Sequence, residues 1–134
     1  MAVIRVWMAG ALCLIAAVRA EAASFPCNTP GLGAVELTIC QTPQLSRLDE
    51  ETARKVRALL PRLSYGQYLG LRYWESRNEE AREQCGPDRA CLAAQYRAQN
   101  RLLDSLRQCL ARGTARRTCW RTIMLGSGAV ALPR

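Results

Sequence analysis

Apolar residues recur at intervals of three and four along three stretches of this chain, and each stretch is bracketed by helix start or stop signals. Leu45, Leu48, Thr52, Val56, Leu59 and Leu63 fall on one face of a helix. Thr42 stands before it as N-cap with Pro43 at the first helical position, and Asp49, Glu50, Arg54 and Arg57 fall elsewhere on the wheel. Pro61 ends or kinks this helix just before Arg62. Ser64 and Gln67 then form a Ser-x-x-Gln capping box that opens a second helix, whose stripe is Leu71, Trp74, Asn78, Ala81 and Cys85. Gly86-Pro87 forces a reversal. Asp88 caps a third helix with the face Leu92, Tyr96, Gln99, Leu103, Leu106 and Leu110, and Gly113 ends it.

On either side the pattern weakens. Residues 23–41 carry Pro26, Asn28, Pro30, Gly31 and Gly33, a turn-rich lead-in with at most a short turn at Ala34–Ile39. The tail beyond residue 111 is basic, with room for a short fourth helix around Cys119 and Trp120 and a frayed end from Gly126 onwards. The fold expected is all-α: a small helical hairpin or bundle of three main helices, stapled by disulfides.

The first residues follow a different logic. Arg5 gives a positive start, Val6 to Val18 is an uncharged apolar run, and Ala20 and Ala22 suit a leader-peptidase cut before Ala23. The apolar run spans 13 residues, short of the roughly 20 that cross a bilayer. Residues 1–22 are therefore expected to be a signal peptide, and no later segment is apolar enough to span a membrane. The expected location is outside the cytoplasm, periplasmic or secreted.

Leader removal changes the cysteine count. Cys13 goes with it, leaving Cys27, Cys40, Cys85, Cys91, Cys109 and Cys119 of the chain's 7. An even set in a short exported chain reads as disulfides. Sequence alone does not choose among the pairings; the expectation is that neighbours join, Cys27 with Cys40, Cys85 with Cys91 and Cys109 with Cys119. Zinc is the rival use, but it needs reduced thiolates, and the chain has 0 His.

The whole chain carries 19 Lys+Arg against 11 Asp+Glu, a formal net charge of +8, and losing Arg5, Arg19 and Glu21 with the leader leaves +7. Lys55 is the one lysine among those cations. Such a balance suits anionic partners, and export replaces nucleic acid by lipopolysaccharide, teichoic or peptidoglycan carboxylates, or acidic proteins. Arg112, Arg116, Arg117 and Arg121 in the tail are the candidate anion-binding cluster. No catalytic constellation is visible, since His-based triads are unavailable and the thiols are expected to be oxidised. Glu75, Glu79, Glu80 and Glu83 interleave with Arg72, Arg77 and Arg82, the pattern of a solvated, salt-bridged helix face. Trp74 and Tyr96 sit on apolar stripes, so core packing is expected of them. Asn78 on the same stripe needs a partner, and an interhelical hydrogen bond that fixes register is the expectation. No metal or cofactor is expected.

Several ordered motifs resemble the LprI-like family, the domain found at the N-terminus of the lysozyme inhibitor LprI. Ser24-Phe25-Pro26-Cys27 is similar to its opening cysteine; Ile39-Cys40 followed by Leu45-x-x-Leu48-Asp49 resembles its IC…LxxLD segment. Trp74-x-x-Arg77-Asn78 is similar to its WxxxRD/N region, and Cys85 with Cys91-Leu92-x-x-x-Tyr96 resembles its closing C…CLxxxY. The resemblance covers about residues 24–106, and the LprI-like helical domain is drawn at 23–111 with 112–134 as a partly disordered basic extension. Glu79 to Arg82 form an added helical turn, Gln99 and Asn100 replace an arginine and an apolar residue, and Cys109 and Cys119 lie beyond the family core. The resemblance implies an exported, disulfide-bonded helical domain, with lysozyme inhibition as the activity of the named member; with no catalytic groups visible, the first expectation is a non-enzymatic extracytoplasmic binding protein. An envelope-associated structural or stress protein that binds anionic surface polymers through its arginines is the second expectation.

Overall fold

The computed structural model describes residues 23–127; the expected signal peptide, and all but Gly126 and Ser127 of the end expected to fray, lie outside them. Five α-helices follow in order, α1 Ala34–Gln41, α2 Pro43–Leu59, α3 Tyr65–Cys85, α4 Arg89–Ala111 and α5 Arg116–Cys119, with no strand among the described residues. A 3-10 turn at Leu60–Arg62 follows α2, and α5 runs on into a π-helical turn at Trp120–Leu125.

The signals read from the sequence act as they should at most helix ends. Pro43 occupies the first turn of α2, and Pro61 sits in the 3-10 turn that follows it. Ser64 and Gln67 exchange both capping-box bonds. Asp88 accepts hydrogen bonds from the Ala90 and Cys91 backbone N–H groups, so α4 starts where α3 turns back through Gly86, whose φ of 54° favours glycine. Thr42 occupies the N-cap position of α2, but its hydroxyl makes no capping bond and is buried without a partner. The corner is closed instead by Ser46 Oγ, which donates to the Ile39 carbonyl oxygen at 2.7 Å.

The lead-in is more ordered than its turn-rich composition predicts. Residues 34–41 make two full turns of helix rather than a short turn. Val35 and Ile39, four residues apart, bury their side chains, and Cys40 is bonded to Cys27. Burial and the crosslink supply what the bare Gly33 cap does not. The tail differs from expectation in the same direction: Cys119, Trp120 and Met124 are buried in the main core, and the Cys109–Cys119 disulfide ties α5 to α4. Cys85 and Cys91 are also bonded, across the α3–α4 reversal, so the three neighbour pairs are those present.

α2 and α4 form the most extensive helix pair. Lys55 of α2 adds a polar tie, donating to Asp104 of α4 at 2.7 Å while pairing with Glu51 one turn away. Burial draws the Lys55 pKa down, but the two carboxylates outweigh it and hold the ammonium above its ordinary value.

The apolar interior falls into two clusters. One gathers Val56, Leu59, Leu71, Trp74, Leu103, Leu106 and the tail residues; the other gathers Ala23, Val35, Ile39, Leu45, Leu92, Ala93 and Tyr96. On α2, Asp49 lies in sequence between the two sets; on α4, Gln99 and Asn100 do; on α3, Asn78 and Arg82 stand between Trp74 and Cys85. The helices thus switch from apolar to polar and back at matching heights, and a polar layer separates the clusters.

Candidate functional site

The polar layer is organised by Asp49. Its spacing of four from Leu45 and seven from Val56 places it on the buried stripe of α2, and it is only 7% exposed. This corrects the expectation that it falls elsewhere on the wheel than the apolar stripe. One carboxylate oxygen accepts from the Tyr96 hydroxyl at 2.9 Å, and the other from the Ser24 backbone N–H at 2.6 Å. Leu48, Asp49, Leu92 and Tyr96 of the quoted motifs therefore converge: Asp49 binds Tyr96, Leu92 is fully buried, and Leu48 packs against the same cluster. Trp74 is buried too, but in the other cluster.

Arg82 covers this node. Its guanidinium lies 5.0 Å from the Tyr96 ring centroid and donates to Gln99 Oε1 at 3.0 Å. Burial, and then the negative charge of Asp49, push the Tyr96 phenol far above its ordinary pKa, so it stays a donor. Arg77 does not join this node, and Asn78 makes no hydrogen bond to it. Arg77 is exposed and pairs with Glu80, and Asn78 donates back to the Trp74 carbonyl one turn earlier, within its own helix. The interhelical bond expected of Asn78 is not formed because the i−4 carbonyl is closer to hand.

Asp49, Tyr96, Asn78, Gln99, Arg82, Glu75 and Ser24 line a chamber of about 110 Å³. It adjoins a cleft of about 600 Å³ that shares Ser24, Asp49, Glu75, Arg82 and Tyr96 with it and is edged by Glu36, Glu79 and Glu83. The glutamates of α3 are thus more than a solvated face, although Arg72–Glu75 at 2.9 Å is an ion pair of the kind expected. Burial raises the Glu75 pKa, with Arg72 opposing. Five carboxylates face two arginines here, a locally acidic site on a chain that is basic overall. Gln99 Nε2 and both polar atoms of the Asn100 side chain are buried without a protein partner.

Below the cleft, the outward face of α3 is aromatic. Tyr65, Tyr68, Leu69 and Tyr73 are exposed, Tyr65 at 77%, and the first two rings stack with centroids 6.4 Å apart. The sequence singles out only Tyr68, as a staple to Leu63 across the Ser64 cap, and not Tyr65, Leu69 or Tyr73, although their positions on the wheel lie away from the Leu71–Trp74 stripe and could have revealed them. Arg112, Arg116, Arg117 and Arg121 are all exposed. Arg116 donates to the Arg62 carbonyl oxygen and accepts from Gln67 through its own, which fixes the tail cluster beside the start of α3.

Among the described residues no group of three or more His, Cys, Asp or Glu is placed to hold a metal ion, and no helix is long and apolar enough to cross a membrane. Fold and crosslinks together define a small, all-α, disulfide-stapled helical domain. Comparison with protein-family models, with curated proteins and with solved structures found no match to this chain.

Proposed function

We propose that this is an exported, non-enzymatic binding protein whose partner is a basic protein, and that the partner class is a lysozyme-type cell-wall hydrolase. The observation that carries the reading is the outward face of α3, where Tyr65, Tyr68, Leu69 and Tyr73 run into Glu75, Glu79, Glu80 and Glu83. Tyrosine supplies large contact area at low entropic cost and dominates interface energetics. The glutamates complement a cationic surface, as animal-type lysozymes generally present, and steer its approach. The resemblance of the ordered motifs to the LprI-like family supplies the choice of lysozyme. Disulfides and a leader-like N-terminus support export.

Clearing of a cell-wall suspension by several lysozyme types, with and without the protein, tests this. Slowed clearing that is relieved by a Tyr65→Ser, Tyr73→Ser double variant is the expected result. Unchanged rates with every lysozyme would refute inhibition.

A second reading is favoured by a separate observation, the gathering of Arg116 and Arg117 beside the Arg62 carbonyl at the start of α3, the end away from the glutamates. Those arginines suit an anionic envelope polymer. Binding to lipopolysaccharide or teichoic acid that falls steeply with salt supports it; binding untouched by salt or by Arg116→Ser, Arg117→Ser refutes it.

A further inference from the structure

Asp49 is a buried carboxylate with two neutral donors. Among the described residues no lysine or arginine nitrogen lies within ion-pair distance of it; the six ion pairs formed are elsewhere. Arg82 lines the same chamber, but its guanidinium is engaged by Gln99 and the Tyr96 ring, and Glu75 adds a second carboxylate to the wall. A carboxylate this little exposed gains from a cationic neighbour as well as from its two neutral donors.

The residue that cleavage before Ala23 would make the first stands next to an Asp49 partner in the chain. Ser24 donates its backbone N–H to Asp49 at 2.6 Å. Ala23 is 6% exposed and belongs to the core cluster that contains Tyr96. Three covalent bonds separate the Ala23 nitrogen from that of Ser24, so the two are no more than about 4 Å apart. The Ala23 nitrogen is therefore held within about 7 Å of the carboxylate by chain geometry alone.

We propose that removal of residues 1–22 completes the fold: the α-ammonium created at Ala23 is the cationic partner of Asp49. Hydrolysis of the Ala22–Ala23 bond by a leader peptidase consumes one water. The C–N bond breaks, a carboxylate forms on Ala22, and the Ala23 amine takes up the proton. Before the cut, that nitrogen is a neutral amide. After it, a full positive charge stands one residue before Ser24, in whose chamber Asp49 and Glu75 otherwise face Arg82. The domain thus reaches full stability only once it has been exported and processed. This rests on the export reading but not on any binding partner.

The test uses mature protein recovered from an export host. Intact mass is expected to place its first residue at Ala23; a start elsewhere overturns the proposal. In a Lys55→Arg background the α-amine is the sole primary amine, so it can be acetylated selectively. Acetylation is expected to lower the melting temperature by about 5–10 °C, as loss of a partly buried ion pair should. In Asp49→Asn, which keeps the size but removes the charge and turns one acceptor oxygen into an NH2 donor, acetylation is expected to change nothing. Equal melting temperatures for free and acetylated protein with Asp49 intact would overturn the ion pair while leaving export standing. An equal drop in both backgrounds would assign the effect to packing at Ala23 and overturn it as well.

Discussion

Replacing Gly70 by alanine should destabilise the protein, although alanine is the better helix former. Gly70 lies within α3, and a Cβ built on it would stand 2.6 Å from Cζ2 of Trp120 and 3.4 Å from Cη2. Relief requires one of the two to move by about 1 Å to reach ordinary carbon contact. Trp120 has little freedom to do so. It is 9% exposed, follows Cys119, which is bonded to Cys109, and precedes the fully buried Met124. Overpacking of this kind costs about 1–3 kcal/mol, and the propensity gain returns about 0.5–1 kcal/mol. The net loss of about 1 kcal/mol corresponds to a fall of roughly 4–8 °C in melting temperature for a domain of this size. Gly66 is the control: it lies four residues earlier on α3 and its added Cβ meets nothing within 4 Å. Gly66→Ala should therefore raise the melting temperature. Thermal unfolding followed by circular dichroism under oxidising conditions reads both, and Trp120→Leu in the Gly70→Ala background should recover part of the loss. If both alanine variants melt at or above the wild type, the α3–Trp120 contact does not hold the tail as described.

Tyr96→Phe removes a donor from buried Asp49 and should cost about 1–3 kcal/mol near neutral pH in a denaturant titration. The sign of its pH effect follows from the direction of the shift. An unfolded tyrosine titrates near 10.0 and the folded one higher, so the stabilisation is complete below that pH and is lost as pH rises above it. The alkaline fall in stability should be shallower in Tyr96→Phe than in the wild type, and an equal slope would contradict the assignment. Removing disulfides in pairs should be graded by what each closes. Cys109→Ala with Cys119→Ala opens a 10-residue separation and strips two buried side chains from the core, for a loss above the roughly 2–3 kcal/mol of the chain-entropy account. Cys85→Ala with Cys91→Ala opens a separation of 6 at a half-exposed reversal and should cost less; the reverse order would show that the tail is dispensable to the core.

Where stop and start signals are carried by side chains, the helices could be read directly. Pro43, the Ser64–Gln67 box, Gly86-Pro87 and Asp88 each act through a local steric or hydrogen-bonding rule that needs no tertiary context. α1 was hidden because Gly33 caps it without a side-chain bond and its stability comes from Val35, Ile39 and a crosslink to a distant residue. Asp49 was misplaced for a related reason: Leu48 and Asp49 differ by one wheel position, and hydrophobicity favoured the leucine. What buries the aspartate is a donor from α4 and another from the lead-in, separated from it by 47 and 25 residues. The tail was legible as basic and cysteine-bearing, but its insertion depends on the space left by Gly70, a glycine whose role only the folded contact reveals.

The formal charge of the chain says little about which partner it can meet. A glutamate cluster and an arginine cluster occupy different ends of α3, and Ser64 to Glu79 along a helix is about 22 Å. The screening length at physiological ionic strength is about 8 Å. The part of a partner that meets Glu79 and Glu83 therefore feels those carboxylates with the arginines beside Ser64 more than two screening lengths away, whereas the part that meets Tyr65 and Tyr68 lies close to them. A net charge of +7 after leader removal would repel a basic partner only at a salt concentration low enough for the two ends to merge electrostatically. The two ends can then be separated by experiment: lowering the ionic strength should weaken association with a basic protein at the glutamate end relative to physiological salt if the distant arginines intrude. Arg116→Ser with Arg117→Ser, which lowers the net charge from +7 to +5, should reduce that low-salt weakening while leaving association through the glutamate end at physiological salt little changed.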